Sequence, residues 1–136
     1  MSDLRGLVVT PDGSVEEKWF PSTGQDFLDA LYSVINCDTV EAVRLGTDGR
    51  DATMYTDQHG QDVQLPMSNE YATVLVYGFN SAVHQMYYGT AVFLGGPDRE
   101  GDDTSLSDKA EIYVRYLMYE IKRGNIGIRR IRGGRF

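Results

Sequence analysis

The sequence predicts a single α+β domain with a largely antiparallel sheet, two main helices and a short third. Three observations carry this. Strand-like segments cluster around short turns instead of alternating strictly with helices. Two stretches have helical spacing of their apolar residues, 25–36 and 108–123. A length of 136 residues with 41% hydrophobic and 11% aromatic content suits one core.

The elements follow in order. In "GLVVTPDGSVEEKWF", Leu7, Val8 and Val9 are β-formers, "TPDGS" has tight-turn chemistry, and Val15 to Phe20 resumes a strand. Ser22 and Thr23 each precede Gln or Asp by three residues, the spacing of a capping box. Phe27, Leu28, Leu31, Val34 and Ile35 then form one face of an amphipathic helix over 25–36. "TVEAVRL" (39–45), the turn "GTDGR" and "DATMYTD" (51–57) read as a second hairpin, with Ala52, Met54 and Thr56 on one face. "QHGQD" is a third turn, and "VQL" (63–65) a short strand closed by Pro66. "NEYATVLVYGF" (69–79) has strand composition but helical spacing, so its type stays open on the residues alone. "YYGTAVFLGG" (87–96) reads as a buried strand. Ser105 or Ser107 caps the last helix, whose apolar stripe is Ala110, Val114, Leu117 and Ile121 and whose C′ residue is Gly124.

Charge divides the chain. Residues 122–136 hold Lys122, Arg123, Arg129, Arg130, Arg132 and Arg135 and no acid. That is six of the 13 basic side chains, which leaves seven against all 20 acids in the body. The body therefore sits near −13 and the tail near +6, for a net −7. The expected organisation is a compact α+β domain over 1–123 and a basic tail over 124–136, flexible or added as an edge strand through Ile126 and Ile128. Such a tail can complement acidic surface on its own body or on a second subunit, meet an acidic partner protein, or neutralise nucleic-acid phosphates. The acidic body opposes the last of these, because it repels the same phosphates.

No stretch carries a recognisable reaction. His59 and His84 lack a second His or Cys at ligand spacing. "DREGDD" alternates acids like the start of a calcium loop, but places six and twelve hold Asp103 and Lys109 where Gly and Glu are needed. Acids ahead of a helix also favour its dipole. There is no phosphate-loop or dinucleotide glycine pattern. Cys37 would need a nearby base to act as a nucleophile. No cofactor and no metal is expected, and the reading is non-enzymatic. Tyr113, Tyr116 and Tyr119 widen the stripe of the last helix, as either core or contact surface. A lone cysteine, the lack of an apolar leader in "MSDLRGLVVTPDG" and apolar runs too short to span a bilayer lead to the expectation of a cytoplasmic protein without membrane contact.

Four segments carry a family resemblance: "LVVTPDG", "TVEAVRL", "TDQHGQDVQLPMSNEYAT" and "YYGTAVFLGGPDREGDDTSLSD". They resemble domain-of-unknown-function family 3846, small proteins of bacteria, plasmids and phages. The family has an L-P-x-N signature followed by A-T. Leu65-Pro66-Met67-Ser68-Asn69 carries one extra residue within it. Gly89-Thr90-Ala91, Gly95, Asp98, Glu100 and Gly101 match the G-T-A-x-x-x-G and D-x-E-G segments. The resemblance covers about residues 5–110, leaving out "YGFNSAVHQM" and the long last helix with its tail. It implies a short helix after L-P-x-N and a phage or mobile-element origin, and it supplies no catalytic residue.

The expected function is therefore binding and modulation of a host protein. A carboxylate-rich surface suits a basic target, including one shaped for phosphates. The candidate contact residues are Asp98, Glu100, Asp102, Asp103, Tyr113, Tyr116, Arg129, Arg130, Arg132 and Arg135. A second copy of the chain is the other protein partner considered. The alternatives are a small-ligand or nucleotide-binding domain using Gly89–Gly96 with the acidic loop, and nucleic-acid contact through the tail.

Overall fold

The computed structural model describes residues 3–22, 24–46 and 51–127. The strands are β1 (Leu4–Val9), β2 (Val15–Phe20), β3 (Val40–Leu45), β4 (Ala52–Asp57) and β5 (Ala91–Gly95). The helices are α1 (Gly24–Ile35), α2 (Glu70–Asn80) and α3 (Asp108–Lys122). All neighbouring strands pair antiparallel, in the order β2-β1-β5-β4-β3. The fold is thus the expected α+β domain.

The sheet is the middle layer of three. Leu7 and Val9 of β1, Met54 of β4 and Phe93 of β5 share a cluster with Leu75 of α2 and Val114 of α3. Leu4, Val8, Tyr55, Val92 and Leu94 join Phe27, Leu31 and Ile35 of α1 on the opposite face. Every residue of β5 is buried, because helices cover both sides of the central strands. That is why its sequence is continuously apolar instead of alternating. The edge strand β2 does show its solvent position, with Glu16, Glu17, Lys18 and Trp19 exposed. Charges along an edge discourage pairing with other chains.

The open question at 69–79 resolves as helix. Asn69 is the N-cap, its side chain accepting from the Ala72 amide, and Ser81 closes the helix in the left-handed region. Ser107, not Ser105, caps α3 by accepting from Ala110 N, while Ser105 Oγ accepts from the Arg5 amide. Gly124 takes the expected left-handed C′ position, at φ +81°.

One predicted strand is absent. "VQL" (63–65) forms no ladder. A single 3-10 turn at Gly60–Asp62 precedes it, and Val63 and Leu65 are exposed. Only Ser68 makes a bridge, to Tyr88. Pro66 has no amide hydrogen to extend a ladder. The strand expected over 87–96 is likewise shorter, since Gly89 at φ +79° breaks the extended run before Ala91.

Candidate functional site

The acidic loop between β5 and α3 is a self-contained turn. The Asp98 carboxylate accepts from the amides of Glu100 and Asp102, both at 2.9 Å. Its backbone amide donates to Asp102 O, and its carbonyl accepts from Gly101 N, a residue at φ +85°. Asp103 turns inward, where its carboxylate accepts from the Tyr55 hydroxyl. Burial, together with that carboxylate, pushes the Tyr55 hydroxyl far above its ordinary pKa. The four acids are therefore not equivalent. Asp98 and Asp103 accept hydrogen bonds that build structure, while Glu100 and Asp102 are exposed side chains of the same loop. Among the described residues, no group of three or more His, Cys, Asp or Glu side chains is placed to hold a metal ion.

The tyrosines of α3 also divide. Tyr113 is half-buried: its ring packs edge-on against Phe79 at 5.0 Å, and its hydroxyl donates to Gly78 O at 2.6 Å. Tyr116 and Tyr119 are each 56% exposed, and Ile112 is 68% exposed. Positions 112, 116 and 119 fall on one side of a helix, opposite the buried Ala110, Val114, Leu117 and Met118. The Arg123 guanidinium lies 5.2 Å from the Tyr119 ring centroid and donates to its hydroxyl. The result is an apolar stripe bordered by charge on a helix whose inner face is already spent on the core.

The helix is fixed at its N-terminal end by Arg5. Its guanidinium pairs with Glu111, with Asp108 at 3.2 Å and with Glu17 at 3.3 Å, and donates to Leu106 O. Hydrogen bonding from Arg5, aided by Arg115, holds the Glu111 carboxyl below the usual carboxylate range. Leu106 N also donates to Arg5 O. These contacts tie the N-terminal end of α3 to β1.

The other predicted contact residues, Arg129, Arg130, Arg132 and Arg135, lie outside the described residues. The start of the tail is described, and it turns back onto the domain. Ile126 packs against the core and lines a groove of about 290 Å³ between α2 and α3, with Tyr77, Tyr113 and Leu117. The segment Gly89–Gly96, considered above for a ligand, is mostly sheet interior, since β5 is covered on both faces. Ile112 was absent from the sequence-derived contact set. Its place four residues before Tyr116 was the signal available, but only the packing shows which side of α3 faces outward.

The motifs behind the resemblance have visible structural jobs. Asn69 is fully buried. It caps α2 and donates through Nδ2 to Val9 O at 3.1 Å and Gly89 O at 2.8 Å. Gly95 lies against the Ser105 carbonyl and the Thr104 hydroxyl, leaving no room for a methyl group. Taken together, the described residues define a three-layer α+β domain with an antiparallel sheet. The profile of the family described as "Domain of unknown function (DUF3846)" matches residues 4–118, and the chain belongs to that family. The match reaches further into α3 than the segments quoted above and ends before Tyr119. No curated protein and no solved structure matches the chain. Among the described residues, no helix is long and apolar enough to cross a membrane.

Proposed function

We propose that this protein is a non-enzymatic binding protein of phage or mobile-element origin that engages and modulates a host protein through the outer face of α3. The carrying observation is the exposure of Ile112, Tyr116 and Tyr119 on one side of a helix that buries its other side. Three large apolar groups at this spacing form the anchor pattern by which a helix fills a partner's groove. Tyrosine suits such a surface because it covers apolar area while keeping a polar tip. The partner this implies has an apolar groove beside basic side chains. Glu100 and Asp102, in the loop leading into α3, supply the matching negative charge. The phage or mobile-element origin rests on the family resemblance, and a cytoplasmic setting on the lone cysteine.

The test is capture from host lysate with and without nuclease, using the full chain, Ile112→Asp, Tyr116→Asp and the pair Glu100→Gln with Asp102→Asn. The expected result is one discrete protein held by the full chain. Either stripe substitution should abolish its capture, and the paired neutralisation should weaken it most at low salt. Thermal melting of each variant checks that the fold persists. Equal capture by the full chain and both stripe variants would overturn the assignment of this face. Recovery that nuclease abolishes would point instead to nucleic acid.

A further inference from the structure

The chain reverses direction as it leaves α3. Gly124 N donates to Ile121 O at 2.9 Å and Asn125 N to Glu120 O at 3.0 Å, with Gly124 at φ +81°. These are the two bonds of a Schellman motif, a helix end that turns the chain back on itself. The Asn125 side chain holds the turn a second time, its Nδ2 donating to Glu120 Oε2 at 2.6 Å. Ile126 is thereby brought to the groove between α2 and α3, where it is half-buried and packs against the core. Val74, Tyr77 and Ser81 line that groove from one side of α2, and Tyr113 and Leu117 line it from α3. The two helices meet closely at Gly78, where any side chain would collide with Leu117.

We propose that the chain's own tail completes this groove, with Ile128 seated beside Ile126 against Tyr77 and Leu117. Size and chemistry set the kind of occupant. With Ile126 in place the groove still offers about 290 Å³, against roughly 10–15 Å³ for one water-sized group. Its walls are mainly Val74, Tyr77, Tyr113 and Leu117, and Tyr77 is left 41% exposed. A large apolar side chain fits such a space, because its burial removes apolar surface from water on both partners. Continuity names the occupant. Only Gly127 separates Ile126 from Ile128, and in an extended segment residues two apart share a side. A tether this short holds Ile128 at an effective concentration of about millimolar or more, so a separate partner would have to displace it. Charge agrees. Glu70 is exposed and lies four residues before Val74, on the same side of α2. At up to about 3.6 Å per residue, Arg129 and Arg130 can reach it from Ile126. The inference is independent of the outer stripe of α3, since Ile112, Tyr116 and Tyr119 do not line this groove.

The experiment records nuclear Overhauser contacts by NMR on the full chain, labelled at its Ile, Leu and Val methyl groups. The expected result is cross-peaks from the Ile128 Cδ1 methyl to the Leu117 methyls and the Tyr77 ring, unchanged on dilution. An equal mixture of labelled and unlabelled chain, read with an isotope filter, should show no such contact between molecules. Ile128→Asp should remove the cross-peaks and shift the Val74 and Leu117 methyl signals, whereas Ile128→Val should keep the contact with Tyr77. The backbone amide spectrum of the sheet checks that each variant is folded. Absence of contacts from Ile128 to the groove in the natural chain would overturn the proposal. So would Val74 and Leu117 signals that stay in place in Ile128→Asp. Contacts found only between molecules would overturn it too, and would assign the groove to a second copy of the chain.

Discussion

Asn69 and Thr56 are both buried to within 1% of completely, yet their polar groups have opposite fates. Asn69 spends its whole side chain: the oxygen caps α2, and the nitrogen bridges the end of β1 to the turn before β5. Its carbonyl also accepts from the Thr73 hydroxyl at 2.9 Å, and that hydroxyl in turn accepts from Tyr87 N at 3.0 Å. Thr56 spends nothing among the described residues. A satisfied buried group stabilises the fold, whereas an unsatisfied one costs stability. The first residue is therefore architecture, and the second is a small local cost that the fold carries.

Substitution at the two positions should separate these roles most sharply. Asn69→Ala removes the cap of α2 and leaves the Val9 and Gly89 carbonyls without this donor. A loss of about 2–4 kcal/mol is expected from the cap and the stranded groups together, read as a lower urea midpoint. An effect below about 0.5 kcal/mol would mean the network is not what holds 65–73 to the sheet.

The tyrosines of α3 sharpen the same distinction at smaller scale. Tyr113→Phe deletes the hydroxyl that donates to Gly78 O and should cost about 1 kcal/mol. Tyr116→Phe, on the exposed side, should leave the midpoint nearly unchanged while still weakening partner capture. Equal stability effects would erase the division between inner and outer face.

The ion cluster at Arg5 gives a pH test. Glu111 has a folded-state pKa below its unfolded value, so the unfolded chain binds its proton more readily. The stabilisation is fully present above the unfolded value and fades as pH falls through the depressed folded one. Melting followed from about pH 6 to pH 3 should fall less steeply for Glu111→Gln than for the natural chain. Parallel curves would place the acid sensitivity elsewhere. The smallest effect belongs to Thr56→Val. Its midpoint should stay within about 0.5 kcal/mol or rise, because a hydroxyl without a partner among the described residues is gone.

Much of this architecture was legible in the residues, and the exceptions have physical causes. The β1–β2 and β3–β4 pairs read correctly because β-branched composition and, at "TPDGS", turn chemistry are local; residues 47–50 of "GTDGR" lie outside the described residues. The helix stripes read correctly because periodicity is local too. The segment 63–65 did not, since three alternating residues say nothing about whether a neighbour is present to pair with. The helix at 69–79 stayed open on composition alone because α2 is buried on nearly all sides, which hides the amphipathic period. The acids of 98–103 were read as one patch. The turn bonds of Asp98 are local, but the inward turn of Asp103 depends on Tyr55, 48 residues earlier.

The sequence by itself determined the α+β class, the element order apart from one strand and one ambiguous segment, and the family, and it narrowed the cap of α3 to Ser105 or Ser107. These follow from short-range sterics, capping and hydrophobic period, which neighbouring residues carry among themselves. Only the tertiary structure decided that both faces of the sheet are covered and that Ile112 points outward while Tyr113 packs inward. It alone set Glu41 opposite a buried hydroxyl with no partner among the described residues. Those facts depend on which distant segments meet, and a chain specifies that through the packing of the whole core rather than at any one position.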